Sequence, residues 1–335
     1  MKNILIIFGG ADFEEAAARK VAIEAGMSVA TATTADGKKC HAGNAYQATG
    51  FVLDSGTLED VTEVIIFECT PVVAGEQPIV LRADHHNPGD AGFGLGPGKF
   101  FEASSLGQLM NFLGLEPTTE QQMIAAGDHC PAAAYAGLCP GVKPAEFAKF
   151  RVSQKLAFYA GDSRNAHKAT PELLAAVIEV AKAKLLTAPE VDGVRDLRAV
   201  GYIDELPEAA LSLGLAYMSS IPDTDRDRNP TGNTKIILGG HTTPEAVIQF
   251  MEWGNSLPNK VGPAYGNPIR GFAGVVVKPL LDKVTELIYV YVDRYEGGAG
   301  PAVVSLLENM RQELGKNPTL EECNKFCTGY LGMSI

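Results

Sequence analysis

The chain has 335 residues, 46% hydrophobic and 20% charged, which describes an ordinary globular protein with room for two domains. Its formal net charge of −12 argues against a surface that wraps a nucleic-acid polymer, because phosphate contacts need clustered Lys and Arg. It does not exclude a small anionic substrate, since one bound metal ion reverses the field locally, and no apolar run approaches the ~20 residues of a membrane span.

Residues 4–8 form a β-rich apolar run closed by Gly9-Gly10. Residues 12–25 then read as a helix with Asp12 as N-cap, Glu14 and Glu15 in the first turn and Gly26 at the C-terminal position. Residues 28–33 read as a second strand, and strand, helix, strand in this order predicts a parallel sheet. The G-x-G-x-x-G loop of a dinucleotide site is absent, which counts against a plain dinucleotide-binding domain. After a Gly/Asn-containing connection, residues 61–67 form an apolar run ending at Glu68.

The next run, from Pro78, ends in Asp84-His85-His86 and a turn at Asn87-Pro88-Gly89. Its length predicts a buried strand, and open α/β sheets gather ligands at the carboxyl ends of their strands. One carboxylate and two imidazoles at such a mouth suit a divalent metal. The glycine-rich stretch 89–98 lacks the Gly-Lys-Ser/Thr of a P-loop and reads as a mobile loop over the site. Helices are expected over 102–113 and 119–126, the second ending at Gly127-Asp128-His129.

A helical connection covers 149–184, with Pro171 starting its best run. Beyond it come a strand over 235–238 closed by Gly239-Gly240-His241, a helix over 244–253, strands over 272–277 and 287–292, and helices over 301–314 and 320–331. The charge-dense 223–229 reads as a solvated turn. The six cysteines form no CxxC pair. Cys40, Cys69, Cys130 and Cys139 are scattered and Cys323 and Cys327 lie four apart, so reduced thiols are expected rather than a disulfide or zinc framework. With no signal-peptide pattern at Met1-Lys2-Asn3, a cytoplasmic location is expected.

Asp12 with Glu14, Glu68, Asp84-His85-His86 and Asp128 with His129 all follow apolar runs at one expected edge. Singly, each acid has a structural role to hand: Asp12 as cap, Glu14 as dipole partner, Asp128 as turn former. Together they are the donor types of a two-metal hydrolytic site, whose ions lie ~3.5–4 Å apart.

The Asp84-His85-His86 motif after a strand, the helix carrying Ala103-Ser104-Ser105 and the later Gly127-Asp128 resemble the DHH phosphoesterase superfamily over roughly the first 150 residues. That superfamily includes manganese pyrophosphatases, single-strand exonucleases and small-nucleotide phosphodiesterases. The likeness is weaker at Gly239-Gly240-His241 and at Asn267-Pro268-Ile269-Arg270-Gly271. The family's first motif is a His, an Asp four residues on and another Asp two further. Here those positions hold Phe8, Asp12 and Glu14, and the family's second Asp is matched only by Glu68.

The resemblance implies an α/β protein with a parallel-sheet, Rossmann-like N-terminal domain and a smaller mixed α/β C-terminal domain. The expected layout is a catalytic domain over 1–150, a helical connection over 151–190 and a substrate-binding domain over 191–335, with the site in the cleft between them. It implies Asp12, Glu14, Glu68, His85 and Asp128 as metal ligands for Mn²⁺, with Mg²⁺ or another divalent ion as alternatives. His86 would face the leaving oxygen or scissile phosphate, with Asp84 orienting the imidazoles. Gly239, Gly240, His241 and Arg270 would hold the substrate. Phe8 removes a nitrogen ligand and Glu14 lengthens a carboxylate by about one methylene, which metal sites register.

The function implied is hydrolysis of a small phosphorylated or nucleotide-like substrate by metal-activated water. The alternative is a non-hydrolytic nucleotide- or anion-binding regulatory protein on the same scaffold. No membrane partner is expected, the charge weighs against a nucleic-acid polymer, and a homo-oligomer is compatible with the sequence.

Overall fold

A computed structural model describes residues 3–41, 43–72, 77–161, 166–200, 203–224, 229–267 and 271–278. The strand expected over 287–292, the helices over 301–314 and 320–331, Cys323, Cys327 and Arg270 lie outside the described residues, as does most of 223–229. The protein is α/β. A first compact unit comprises Met1–Ile221, Ile236–Asn255 and Ala264–Val275; a second includes Pro222–Lys235 and Ser256–Pro263.

The first unit opens with β1 (Ile4–Phe8), α1 (Phe13–Glu24) and β2 (Ser28–Thr33), followed by β3 (Gly50–Ser55), β4 (Glu63–Phe67) and β5 (Ile79–Ala83). These strands make one sheet in the order β3-β2-β1-β4-β5. Pairs β1–β2, β1–β4 and β4–β5 are parallel, and β2–β3 is antiparallel. The unbroken apolar runs of β1 and β4 follow from burial on both faces. Ile6, Phe8, Ile65 and Phe67 pack against Ala18, Val21 and Ala22 of α1. Leu5, Ile7, Val64 and Ile66 pack against Cys40, Ala45, Ala48 and Cys69 on the other face. β5 differs from its expectation as a buried strand. It is an edge strand, and four of its five residues, Ile79 to Arg82, are exposed or half-buried.

Asp12 caps α1 as expected, its side chain accepting from Glu15 N, and Gly26 takes the left-handed conformation with φ +77°. The helix expected over 102–113 is broken into α2 (Phe100–Ala103) and α3 (Ser105–Leu113). Ser104 is the cause: it leaves helical geometry (φ −65°, ψ 148°) and its hydroxyl accepts from Gly107 N. α4 (Thr119–His129) runs three residues past its expected end, so Asp128 and His129 occupy a last helical turn. α5 (Pro131–Tyr135) follows, and the long helical connection is two helices, α6 (Pro144–Gly161) and α7 (Pro171–Thr187).

The rest builds a second, six-stranded sheet in the order β10-β11-β9-β8-β7-β6. Its elements in chain order are β6 (Glu190–Val191), β7 (Val194–Asp196), α8 (Leu206–Leu213), β8 (Ala216–Thr224), β9 (Pro230–Gly240), α9 (Pro244–Ser256), β10 (Tyr265–Asn267) and β11 (Phe272–Val277). Among the described residues no helix is long and apolar enough to cross a membrane.

Candidate metal centre

The carboxyl ends of β4 and β5 and the N-terminus of α3 converge. Glu68, directly after β4, sits in the left-handed region at φ +51°. Such a non-glycine backbone is held by its surroundings and clusters at functional sites. One surrounding is Gly9, where a Cβ would lie 2.2 Å from the Glu68 carbonyl oxygen. The bend aims the Glu68 carboxylate inward, where Ser105 Oγ donates to Oε1 at 2.8 Å. Glu14 reaches the same place from the first turn of α1, its Oε1 accepting from Leu106 N at 3.2 Å. The first residues of α3 therefore present a hydroxyl and a backbone N–H to two carboxylates, reinforced by the positive end of the helix.

His85 follows β5 and is buried. Its Nε2 lies 3.0 Å from Asp128 Oδ2 and 3.3 Å from Glu68 Oε1. One donor atom from each of Glu14, Glu68, His85 and Asp128 falls within 4.8 Å of the others, and Glu68, His85 and His86 form a second such group. Despite those short distances, His85 Nε2 has no partner in hydrogen-bond alignment, and Glu14 Oε2, equally buried, has none either. Buried polar atoms without hydrogen bonds are costly. Carboxylate oxygens and one imidazole nitrogen suit a hard or borderline divalent cation, so the residues present fit a metal.

The electrostatics follow from this crowding. Burial, then the carboxylates of Asp128, Glu68 and Asp12, hold the Glu14 carboxyl well above the usual range, opposed by the Leu106 N–H. Burial alone would lower His85, but its contacts with Asp128 and Glu68 outweigh that and push it up to about 9.

Asp84 is buried and meets four donors in five contacts. Tyr46 Oη approaches both carboxylate oxygens at 2.9 Å, and Oδ1 also meets His85 N, His86 N and His86 Nδ1 at 2.8, 3.1 and 3.0 Å. Burial would raise its pKa, but the contacts from His86 and Tyr46 hold it below the usual carboxylate range. Nδ1 of His86 is thereby engaged by Asp84. Asp84 thus orients the ring of His86, whereas it holds His85 only through the backbone. Gln108 closes the underside, donating to Asp84 O at 3.0 Å and Ala103 O at 2.9 Å.

Four of the five expected ligands thus converge. Asp12 is exposed and serves as a helix cap, outside the group of four. The cleft beside His86 has a volume of about 900 Å³ and is lined by Tyr46, Phe93, Asp128, Tyr265 and Phe272 among others, with no Lys or Arg among its described lining residues. Gly239, Gly240 and His241 are not among them. A Cβ at Gly239 would lie 2.9 Å from Tyr217 Oη and one at Gly240 2.3 Å from Leu215 O, so close packing accounts for both glycines. His241 is exposed, its N–H donating to Leu215 O. The 89–98 loop is tied to the site: Gly92 N donates to Asp84 O, and Leu95 O meets His129 Nε2.

No family model matches this chain, and no curated protein does. Sequence reasoning missed Tyr46, Gln108 and the contact of His129 with His85. Tyr46 stands in a connection without periodicity and Gln108 on a helix face, and neither carries a sequence signal. His129 did carry one, its adjacency to Asp128 at a helix end.

Phe8, where the resembled family has its first histidine, is fully buried, with its ring centroid 5.0 Å from that of Phe67 and the Arg19 guanidinium 4.5 Å from its face.

Proposed function

We propose that this protein is a metal-dependent phosphoesterase of the DHH type, hydrolysing a small phosphorylated or nucleotide-like substrate. The observation that carries the reading is the convergence of Glu14, Glu68, His85 and Asp128, with two buried donor atoms lacking hydrogen bonds. These residues would hold one divalent cation, Mn²⁺ by resemblance. When bound, such an ion supplies Lewis acidity that makes water a nucleophile and neutralises phosphoryl charge.

The chain's own residues do the rest. Asp84, kept anionic by its donors, holds the Nδ1–H of His86 and so fixes the plane of its ring. His86 then offers the Nε2 proton to the leaving oxygen, the arrangement of an oriented general acid. Tyr46 fixes the Asp84 carboxylate through its hydroxyl. The cleft walls, with Tyr265 and Phe272 from the C-terminal part of the chain, suit a compact substrate with an apolar face. We read residues 1–150 as the Rossmann-like catalytic part and 191–335 as the substrate-binding part.

The test is hydrolysis of bis(p-nitrophenyl) phosphate with and without Mn²⁺, comparing wild type with His86→Ala. Mn²⁺-dependent turnover lost in the variant supports the assignment. Phe8 favours a second reading. Its place in the core leaves the resembled family's first ligand position unbuilt, and a non-hydrolytic nucleotide- or anion-binding protein would show ligand binding with no turnover under any divalent ion.

A further inference from the structure

His129 is 2% exposed and its ring lies directly against that of His85. Its Nδ1 stands 2.8 Å from Nδ1 of His85, and its Nε2 stands 2.8 Å from the carbonyl oxygen of Leu95. The ring centroids are 5.1 Å apart and the planes 28° from parallel, so the rings meet edge to edge. The proton positions in this chain of contacts follow from donor and acceptor capacity alone. A carbonyl oxygen only accepts, so His129 Nε2 carries a hydrogen and donates to Leu95. Two imidazole nitrogens at 2.8 Å share a single proton between them. A neutral His129 that is protonated at Nε2 has a bare Nδ1, so the shared proton belongs to His85 Nδ1. The reverse assignment would place a positive charge on His129, which burial opposes.

We infer that His129 is a positioning residue: by accepting the Nδ1–H of His85 it holds the ring so that Nε2 is the nitrogen presented to Glu68 and Asp128 for ligation. This rests on the metal reading above and deepens it, because a ligating imidazole needs its other nitrogen protonated and held. It also gives the 89–98 loop a role, since Leu95 O is what commits His129 to accept. Asp128 and His129 are consecutive on α4, so a single helix end supplies one ligand and the support of another.

The experiment uses the full chain labelled with ¹⁵N at histidine, read by long-range ¹H–¹⁵N correlation without metal and with Zn²⁺, together with Mn²⁺ affinity. The result expected is a His129 ring with bare Nδ1 and protonated Nε2 in both states, and a His85 ring protonated at Nδ1 in both. His129→Gln keeps an acceptor for His85 and a donor for Leu95, and should hold Mn²⁺ within about threefold of wild type. His129→Phe keeps the ring and loses both contacts, and should bind roughly 10–100-fold more weakly. A His129 protonated at Nδ1, a His85 bare at Nδ1, or equal Mn²⁺ affinity in the Phe and Gln variants overturns the inference. A merely structural role would lower Tm in His129→Phe without separating the two variants in affinity. Wild type that binds no Mn²⁺ at all defeats the proposed function instead, and the ring protonation pattern still decides the tautomer.

Discussion

Lowering the pH should expel a divalent ion from the Glu14–Glu68–His85–Asp128 group, along a slope set by the protons that compete for it. In the metal-free protein His85 sits at about 9 and Glu14 well above its ordinary value, so at neutral pH the first is protonated at Nε2. Ligation must remove that proton. At pH 7 the group lies about two units below its pKa, a cost of roughly 2.7 kcal/mol, or about a hundredfold in affinity. Between pH 6 and 8 the Mn²⁺ dissociation constant should therefore fall about tenfold per unit from His85 alone, and more steeply wherever Glu14 is also protonated. Isothermal titration calorimetry in buffers of different ionisation enthalpy counts the protons released. Glu14→Gln removes one competing proton and should leave the His85 slope. A dissociation constant flat across this range, or binding without proton release, would refute the reasoning.

Four further outcomes are expected. The metal-free protein should lose stability as pH rises: a histidine raised from 6.5 to about 9 stabilises fully below 6.5 and not at all above 9, worth about 3 kcal/mol, and saturating Mn²⁺ should reverse the loss in a thermal melt. Asp12→Ala should cost about 1 kcal/mol as a lost cap while Mn²⁺ affinity stays within about threefold; a hundredfold loss would make Asp12 a ligand. Gly9→Ala should cost about 1–3 kcal/mol and weaken Mn²⁺ binding, because the new Cβ displaces Glu68; unchanged affinity would show that the Glu68 backbone does not depend on this contact. Tyr46→Phe should lower kcat by about tenfold with Mn²⁺ affinity unchanged, consistent with the ~1.5–3 kcal/mol of a hydrogen bond to a charged group, and an unaltered kcat would separate Tyr46 from the action of His86.

The sequence made β1, α1, β2 and β4 legible because burial on both faces writes unbroken apolar runs and the cap and C-terminal glycine of α1 have distinct chemistry. It concealed β3, an antiparallel strand whose residues are all half-buried or exposed, so no hydrophobic pattern marks it. It ended α4 too soon, because Gly127 and Asp128 are poor helix formers that tertiary contacts override. Glu14, Glu68, His85 and Asp128 were visible as residue types at element ends. The division between Asp84 and His129 of the two imidazoles was not, since it depends on which ring nitrogen faces which neighbour.

The order in which the first unit comes off the ribosome has a consequence for the metal group. All five strands of the β3-β2-β1-β4-β5 sheet are complete by Ala83, and His85 follows at once, whereas Asp128 arrives only at the end of α4. An emerging chain can therefore close its sheet while two of its crowded acids, Glu14 and Glu68, still lack the element that brings the fourth donor and the support of His85. Docking of α4 is then the latch of this donor group, and under the proposed function a chain cut ahead of α4 should keep the strands and lose affinity for the ion.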